Sequence, residues 1–224
     1  MRTVLGRYIL EVTVFVCGAL VMIYEIVGSR IVSPFIGTST YVWTSLIGVI
    51  LASLSLGYWL GGRLADKRPD PKVLASVIFV AGGLVSLTIF IKDIVLTAVA
   101  SAPFGPGLKA VLASLFLFGP ASVALGFVTP FAVKLRMLSL ADSGATVGRL
   151  YALSTVGSIA GTFAAGFFLI PFVGSVRTLY IIAASLLVLA LVFAPIAFTR
   201  ARVAVLVLLA CGIAGSEASA WYLW

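Results

Sequence analysis

The sequence predicts an all-α membrane protein of about seven transmembrane helices with its N-terminus inside, and three observations carry that prediction. Hydrophobic residues make up 62% of the chain and charged residues 10%, with a mean hydropathy of +1.24, which leaves too little polar surface for a soluble domain of 224 residues. Apolar runs recur at the length of about 20 residues that crosses roughly 30 Å of hydrocarbon at 1.5 Å per residue. Lysines and arginines fall in alternate connections between those runs.

The first run extends from Tyr8 to Ile31. Arg2 and Arg7 precede it as they would a signal peptide, but no small-residue cleavage site interrupts it, so it is a retained span. The second, Val42 to Leu60, narrows to Gly57, Gly61 and Gly62 before the charged turn Arg63 to Lys72. The third is Val73 to Ile91; the loop containing Pro103, Gly105, Pro106 and Gly107 separates it from the fourth, Leu108 to Val128. Thr129 and Pro130 follow, where proline ends or kinks a helix. The fifth, Leu150 to Pro171, is diluted by glycines and hydroxyls; the sixth is Leu179 to Phe198 and the seventh Val203 to Trp221. Together they form one transmembrane domain over 1–224, with core helices across 8–198 and an additional helix across 203–221.

With the N-terminus cytoplasmic, the inner segments hold Arg2, Arg7, Arg63, Lys67, Arg68, Lys72, Lys134, Arg136, Arg149, Arg200 and Arg202. The outer segments hold only Arg30, Lys92, Lys109 and Arg177. That asymmetry orients a multi-pass protein of the cell inner (plasma) membrane, and Trp221, Tyr222 and Trp224 would then anchor an outer C-terminus at the interface. The formal charge of +8 is distributed over short turns, where bases meet anionic lipid headgroups, so membrane lipids are expected partners and nucleic acid is not.

There is no histidine, and Cys17 and Cys211 lie in separate apolar stretches, so neither a metal site, a disulfide framework nor a bound cofactor is expected. Without a nucleophile and base constellation, an enzyme in its own right is not expected either.

Two sets of small residues spaced four apart line helix faces: Gly57 and Gly61 on the second span, and Gly157 and Gly161 with Ser158 and Thr162 on the fifth. They serve packing within one bundle, a dimer seam, or a lining beside a substrate path. Glu25, with Tyr24 beside it and Arg30 beyond, lies deep in the first span. A carboxylate there costs on the order of 3 kcal/mol unless paired or hydrated, so it should face the bundle interior. It either pairs with Arg30 or a hydroxyl to anchor the helix end, or lines a substrate or proton path together with Tyr24, Arg30, Ser154 and Ser158. Glu11 is near the inner interface and should pair or snorkel there, and Lys92 with Asp93 should hydrate at the outer end of the third span. Lys134 and Arg136 read as topology anchors, and Arg149 as a partner for Asp66 across the inner face.

The turn GGRLADKRP, with Gly62, Leu64, Ala65, Asp66, Lys67 and Arg68, resembles the cytoplasmic loop between the second and third helices of the major facilitator superfamily, although Pro69 replaces a glycine of that pattern. The resemblance implies that Asp66 caps a helix N-terminus and holds an arginine. Over a longer stretch, from Tyr24 to Gly174, the segments YEIVGSRIVSPFIGTSTYVWTSLIGVILASLSLGYWLGGRLADKRP, GFVTPFAVKL and VGRLYALSTVGSIAGTFAAGFFLIPFVG resemble the membrane domain of spermidine synthase-like membrane proteins. There a half-length facilitator-like bundle is fused to a soluble synthase-like domain, of which this sequence has no trace. The resemblance therefore implies the bundle without the chemistry. Two functions follow as expectations: a half-transporter of the facilitator type, acting as a homodimer on a cationic or polyamine-like molecule, or a non-catalytic anchor for a separate polyamine synthase-like enzyme, docked through Lys67 and Arg68.

Overall fold

The computed structural model describes residues 4–137 and 143–193, and among them there is no strand. The helices are α1 Val4–Ile36, α2 Thr40–Lys67, α3 Pro71–Ser101, α4 Pro106–Gly126, α5 Val128–Arg136, α6 Ser143–Ala164, a π-helical segment Ala165–Val173, and α7 Ser175–Phe193. Because α5 continues α4 and the π segment continues α6, they make 6 spans long and apolar enough to cross a membrane. The expected seventh span, Val203 to Trp221, and the end of the sixth lie outside the described residues.

Backbone chemistry explains where the helices stop. Gly37, at φ 101°, closes α1 by donating to the Ser33 carbonyl at 2.8 Å. Asp70 caps α3, its Oδ1 accepting from the Lys72 amide at 2.9 Å with Pro71 in the first turn. That cap corrects the role expected of Asp66, which instead sits in the last turn of α2. Pro130 has no N–H for the Gly126 carbonyl, and the fourth span breaks at Phe127. Pro171 does the same to the Phe167 carbonyl, the chain widens into the π segment, and Gly174 ends it at φ 89° while donating to Leu169 at 2.9 Å. The third helix runs on to Ser101, so Lys92 and Asp93 lie within it and pair with each other at 2.6 Å instead of marking its end.

The packing repeats. α1 lies mainly against α6, α2 against α4, and α3 against α7, while α1 and α4 meet at the centre. Exchanging the first three spans for the last three turns the α1–α6 contact into the α4–α2 contact and leaves α3–α7 unchanged. Glycines confirm the register of this repeat. A Cβ at Gly157 or Gly161 would meet the carbonyls of Phe15 or Ala19 on α1. One at Gly57 or Gly61 would meet the Val123 carbonyl or the Phe127 Cα. Gly18 lies against the Ser154 carbonyl, and Gly126 against that of Leu54. One constant shift thus carries Phe15, Gly18 and Ala19 onto Val123, Gly126 and Phe127, and another carries Leu54, Gly57 and Gly61 onto Ser154, Gly157 and Gly161. In lipid, where no hydrophobic force drives helices together, such close backbone approach supplies the van der Waals packing that does.

The core is apolar apart from a few hydroxyls, most of them hydrogen-bonded, with Ser114 buried and unpaired. The Tyr24 ring meets Phe118 edge to face with centroids 5.1 Å apart, and its hydroxyl lies 3.1 Å from the Leu117 carbonyl and 3.2 Å from Thr88 Oγ1. Thr88 Oγ1 is itself 2.8 Å from that carbonyl, so α1, α3 and α4 share one buried polar knot.

Candidate functional site

α2 and α6 make no close backbone approach to each other. They wall a groove whose floor is α1 with α4 and α5. In the groove lies a cavity of about 50 Å³, and its lining follows the repeat. Cys17 and Val21 of α1 stand where Leu125 and Thr129 stand on the other side, and Leu54 and Tyr58 of α2 stand where Ser154 and Ser158 stand on α6. The cavity therefore sits on the pseudo-twofold axis between the two glycine crossings. A larger hollow of about 290 Å³ between α3 and α4 is lined almost wholly by apolar side chains and carries no ionisable group.

Four hydroxyls reach the small cavity. Ser158 donates to the Gly18 carbonyl at 3.1 Å, while among the described residues the Thr129 and Ser154 side chains have no hydrogen-bond partner and are available to a guest. The Tyr58 ring is partly exposed at the rim. Glu25 stands one helical turn from Val21 on the same face of α1, half-buried. The expected alternative of an ion pair with Arg30 is not formed: Arg30 is exposed, and among the described residues Glu25 has neither an ion pair nor a hydrogen bond. Tyr24, expected beside the path, points into the core and belongs to the scaffold. Of the five residues assigned to a path, the structure thus gathers Ser154 and Ser158 in the cavity, sets Glu25 one turn away, and leaves Tyr24 and Arg30 elsewhere.

The charges near the start of α1 pair differently from expectation. Arg149 meets Glu11 at 2.9 Å, not Asp66, and Arg136 meets the other oxygen of Glu11 at 3.3 Å. Glu11 is only 12% exposed and so links α1, α5 and α6. Asp66 holds Lys134 at 2.6 Å, tying α2 to α5. Lys134 and Arg136 are therefore bracing partners as well as surface bases; the Asp66–Lys134 pair, being exposed, contributes at most about 1 kcal/mol. Lys67 and Arg68 remain exposed at the α2–α3 turn, half-buried Gly62 has open space around it, and Arg63 lies over the Trp59 ring at 4.8 Å. Gly57, Gly61, Gly157 and Gly161 all pack inside the bundle.

Sequence reasoning overlooked Thr129, Tyr58 and Cys17 as lining residues and the double pairing of Glu11. For Glu11 a signal existed. Glu11, Gly18 and Glu25 are spaced by two helical turns and so form one stripe on α1, running from the charge cluster through the glycine crossing to the groove. Among the described residues no three His, Cys, Asp or Glu side chains come together as a metal site.

By sequence, the chain is similar to part of several curated polyamine aminopropyltransferases. The chain is 25% identical over 175 residues to polyamine aminopropyltransferase 2 of Ralstonia nicotianae, an alignment that covers 77% of this chain and 32% of that protein. Polyamine aminopropyltransferase 1 of the same organism shares 25% over 175 residues, and polyamine aminopropyltransferase 2 of Streptomyces coelicolor 25% over 176 residues. The chain thus spans about a third of the length of these curated relatives. No family model matches it, and no solved structure matches it significantly.

Proposed function

We propose that this chain is a half-length carrier of the major facilitator type, with its N-terminus in the cytoplasm, that works as a homodimer and moves a small cationic, polyamine-like molecule across the plasma membrane. One observation carries the reading: among the described residues Glu25 is a half-buried carboxylate without a partner, one turn from a cavity in which the Thr129 and Ser154 hydroxyls are unpaired. A carboxylate held at such depth costs several kcal/mol unless a cation or water compensates it, and positions that pay this cost commonly line ion and substrate paths. The duplicated three-helix arrangement with a cavity on its axis supports the same reading, since carriers bind at the interface of repeats. The chain is read as non-catalytic. Purified protein in vesicles should take up or release a labelled polyamine or a proton, and Glu25→Gln should stop it; wild-type rates from that variant would remove Glu25 from the path.

The similarity to aminopropyltransferases favours a second reading. Because the match covers about a third of those proteins, the bundle would anchor a separate enzyme of that class through the exposed Lys67 and Arg68. Co-purification of a soluble aminopropyltransferase that is lost on Lys67→Ala with Arg68→Ala, together with absence of flux, would favour the anchor over the carrier.

A further inference from the structure

The small cavity on the pseudo-twofold axis holds more polar chemistry than the frame around it requires. Thr129 lines it and is only 9% exposed, yet among the described residues its hydroxyl has no hydrogen-bond partner. A hydroxyl buried without a partner is costly, so its place in the wall calls for a guest. Ser154 on α6 is unpaired as well. Ser158 donates its proton to the Gly18 carbonyl at 3.1 Å, which leaves the oxygen lone pairs for another partner. Folding does not demand these groups: Val21 and Leu54 occupy the places equivalent to Thr129 and Ser154 and bring no hydroxyl.

Size, charge and backbone decide what the oxygens receive. The cavity measures about 50 Å³, whereas sites for organic molecules span ~300–1,000 Å³. At about 10–15 Å³ for each water-sized guest it holds a few of them, and a polyamine-like chain has to lie along the groove beside Glu25 instead. No carboxylate lines the cavity, so a divalent cation finds no charged ligand there. Neutral hydroxyl oxygens are hard ligands that suit a small alkali cation. The helix break adds a backbone contribution. Leu125 and Val128, on either side of Phe127, both line the cavity, and Pro130 withholds from the Gly126 carbonyl the N–H of an unbroken helix. Interrupted helices of this kind are where carriers hold their coupling ions. Glu25, one turn beyond Val21 and about 6 Å along the axis, supplies a negative charge to the same groove.

We infer that the cavity binds one alkali cation through the oxygens of Thr129, Ser154 and Ser158, with Glu25 as its counter-charge. For its role the inference rests on the carrier reading, to which it adds a second ligand. The ion in the cavity and a cationic cargo in the groove share one carboxylate, so each weakens the binding of the other by the same factor.

Binding is measured on the purified full chain in detergent, with sodium chloride exchanged for choline chloride at constant ionic strength, since choline is too large for the cavity. Sodium should raise the melting temperature saturably, and radioactive sodium should bind with the same midpoint. Thr129→Val with Ser154→Ala gives the cavity the apolar character of the equivalent positions. That variant should melt like the wild type in choline and lose at least ~10-fold in sodium affinity, while Thr129→Ser keeps the response. No saturable response of the wild type to sodium, lithium or potassium would overturn the site, and so would a response that both Thr129→Val alone and the double variant retain in full. Flux in vesicles separates the two claims. Sodium binding without cargo flux keeps the cation site and rejects the carrier, and cargo flux through a protein that binds no alkali ion keeps the carrier and rejects the site.

Discussion

The α1–α6 and α2–α4 crossings are one joint built twice, yet the cavity between them is not symmetric. Both joints place a glycine of the central helix, Gly18 or Gly126, against a backbone carbonyl of the wall helix, and both place a pair of wall glycines against the central backbone. The side chains that enter the cavity differ at each equivalent position: Val21 faces Thr129, and Leu54 and Tyr58 face Ser154 and Ser158. Glu25 has Val133 as its counterpart, and Glu11 has Gly119. Close approach leaves no room for a substituent in either joint, so both carry glycine; the cavity side chains are under no such limit and differ, Ser158 reaching the Gly18 carbonyl where its counterpart Tyr58 lies at the rim. Three of the four cavity hydroxyls therefore lie on α5 and α6, with Tyr58 on α2 and Glu25 on α1, an asymmetry within a repeated frame.

Breaking the shared part should have the largest effect. Gly157→Leu and Gly57→Leu each drive a side chain into a backbone that has nowhere to move, at a cost of about 3 kcal/mol or more. Neither variant should elute from detergent as a single folded species. A Gly57→Leu protein that melts like the wild type would show that the two joints are not equivalent. Next comes the unshared acid: Glu25→Gln should lower flux at least ~10-fold, the equivalent of about 1.4 kcal/mol in the barrier, with the melting temperature unchanged. A parallel loss of fold would mean that Glu25 serves the scaffold and that the asymmetry is structural.

Tyr24→Phe leaves the T-shaped contact with Phe118 in place and removes the hydroxyl knot. It should cost about 1 kcal/mol in unfolding measurements and leave flux alone, since Tyr24 belongs to the scaffold. Ser158→Ala, which deletes one bond to the Gly18 carbonyl, should change stability by only about 0.6 kcal/mol. If it nonetheless altered the Km for the cargo, the hydroxyl side of the cavity would be identified as the contact surface.

Much of this was legible in the residues. The apolar runs located the six described spans, the glycine pairs at 57 and 61 and at 157 and 161 named the packing faces, and the depth of Glu25 singled it out before any contact was known. The ends were less legible: α3 runs past Ile91 because a helix persists through isolated charges such as Lys92 when no proline or glycine cap intervenes, and α1 runs past Ile31 and through Pro34 before Gly37 closes it. The ion pairs were not legible at all. Asp66 was matched to Arg149 on the assumption that bases and acids of one face meet, whereas Lys134 lies against it and Arg149 belongs to Glu11.

What the sequence determined alone is the helical form of a chain whose described spans are long and apolar enough to cross a membrane. A polypeptide in hydrocarbon must satisfy its backbone hydrogen bonds internally, so a long apolar run has few forms open to it. Only the tertiary structure decided that the first and fifth spans repeat the fourth and second, that a cavity lies on their shared axis, and that Glu11 rather than Asp66 receives Arg149. Those facts depend on where helices cross. A crossing joins residues far apart in the chain, set by the fit of two surfaces that no local run of residues contains.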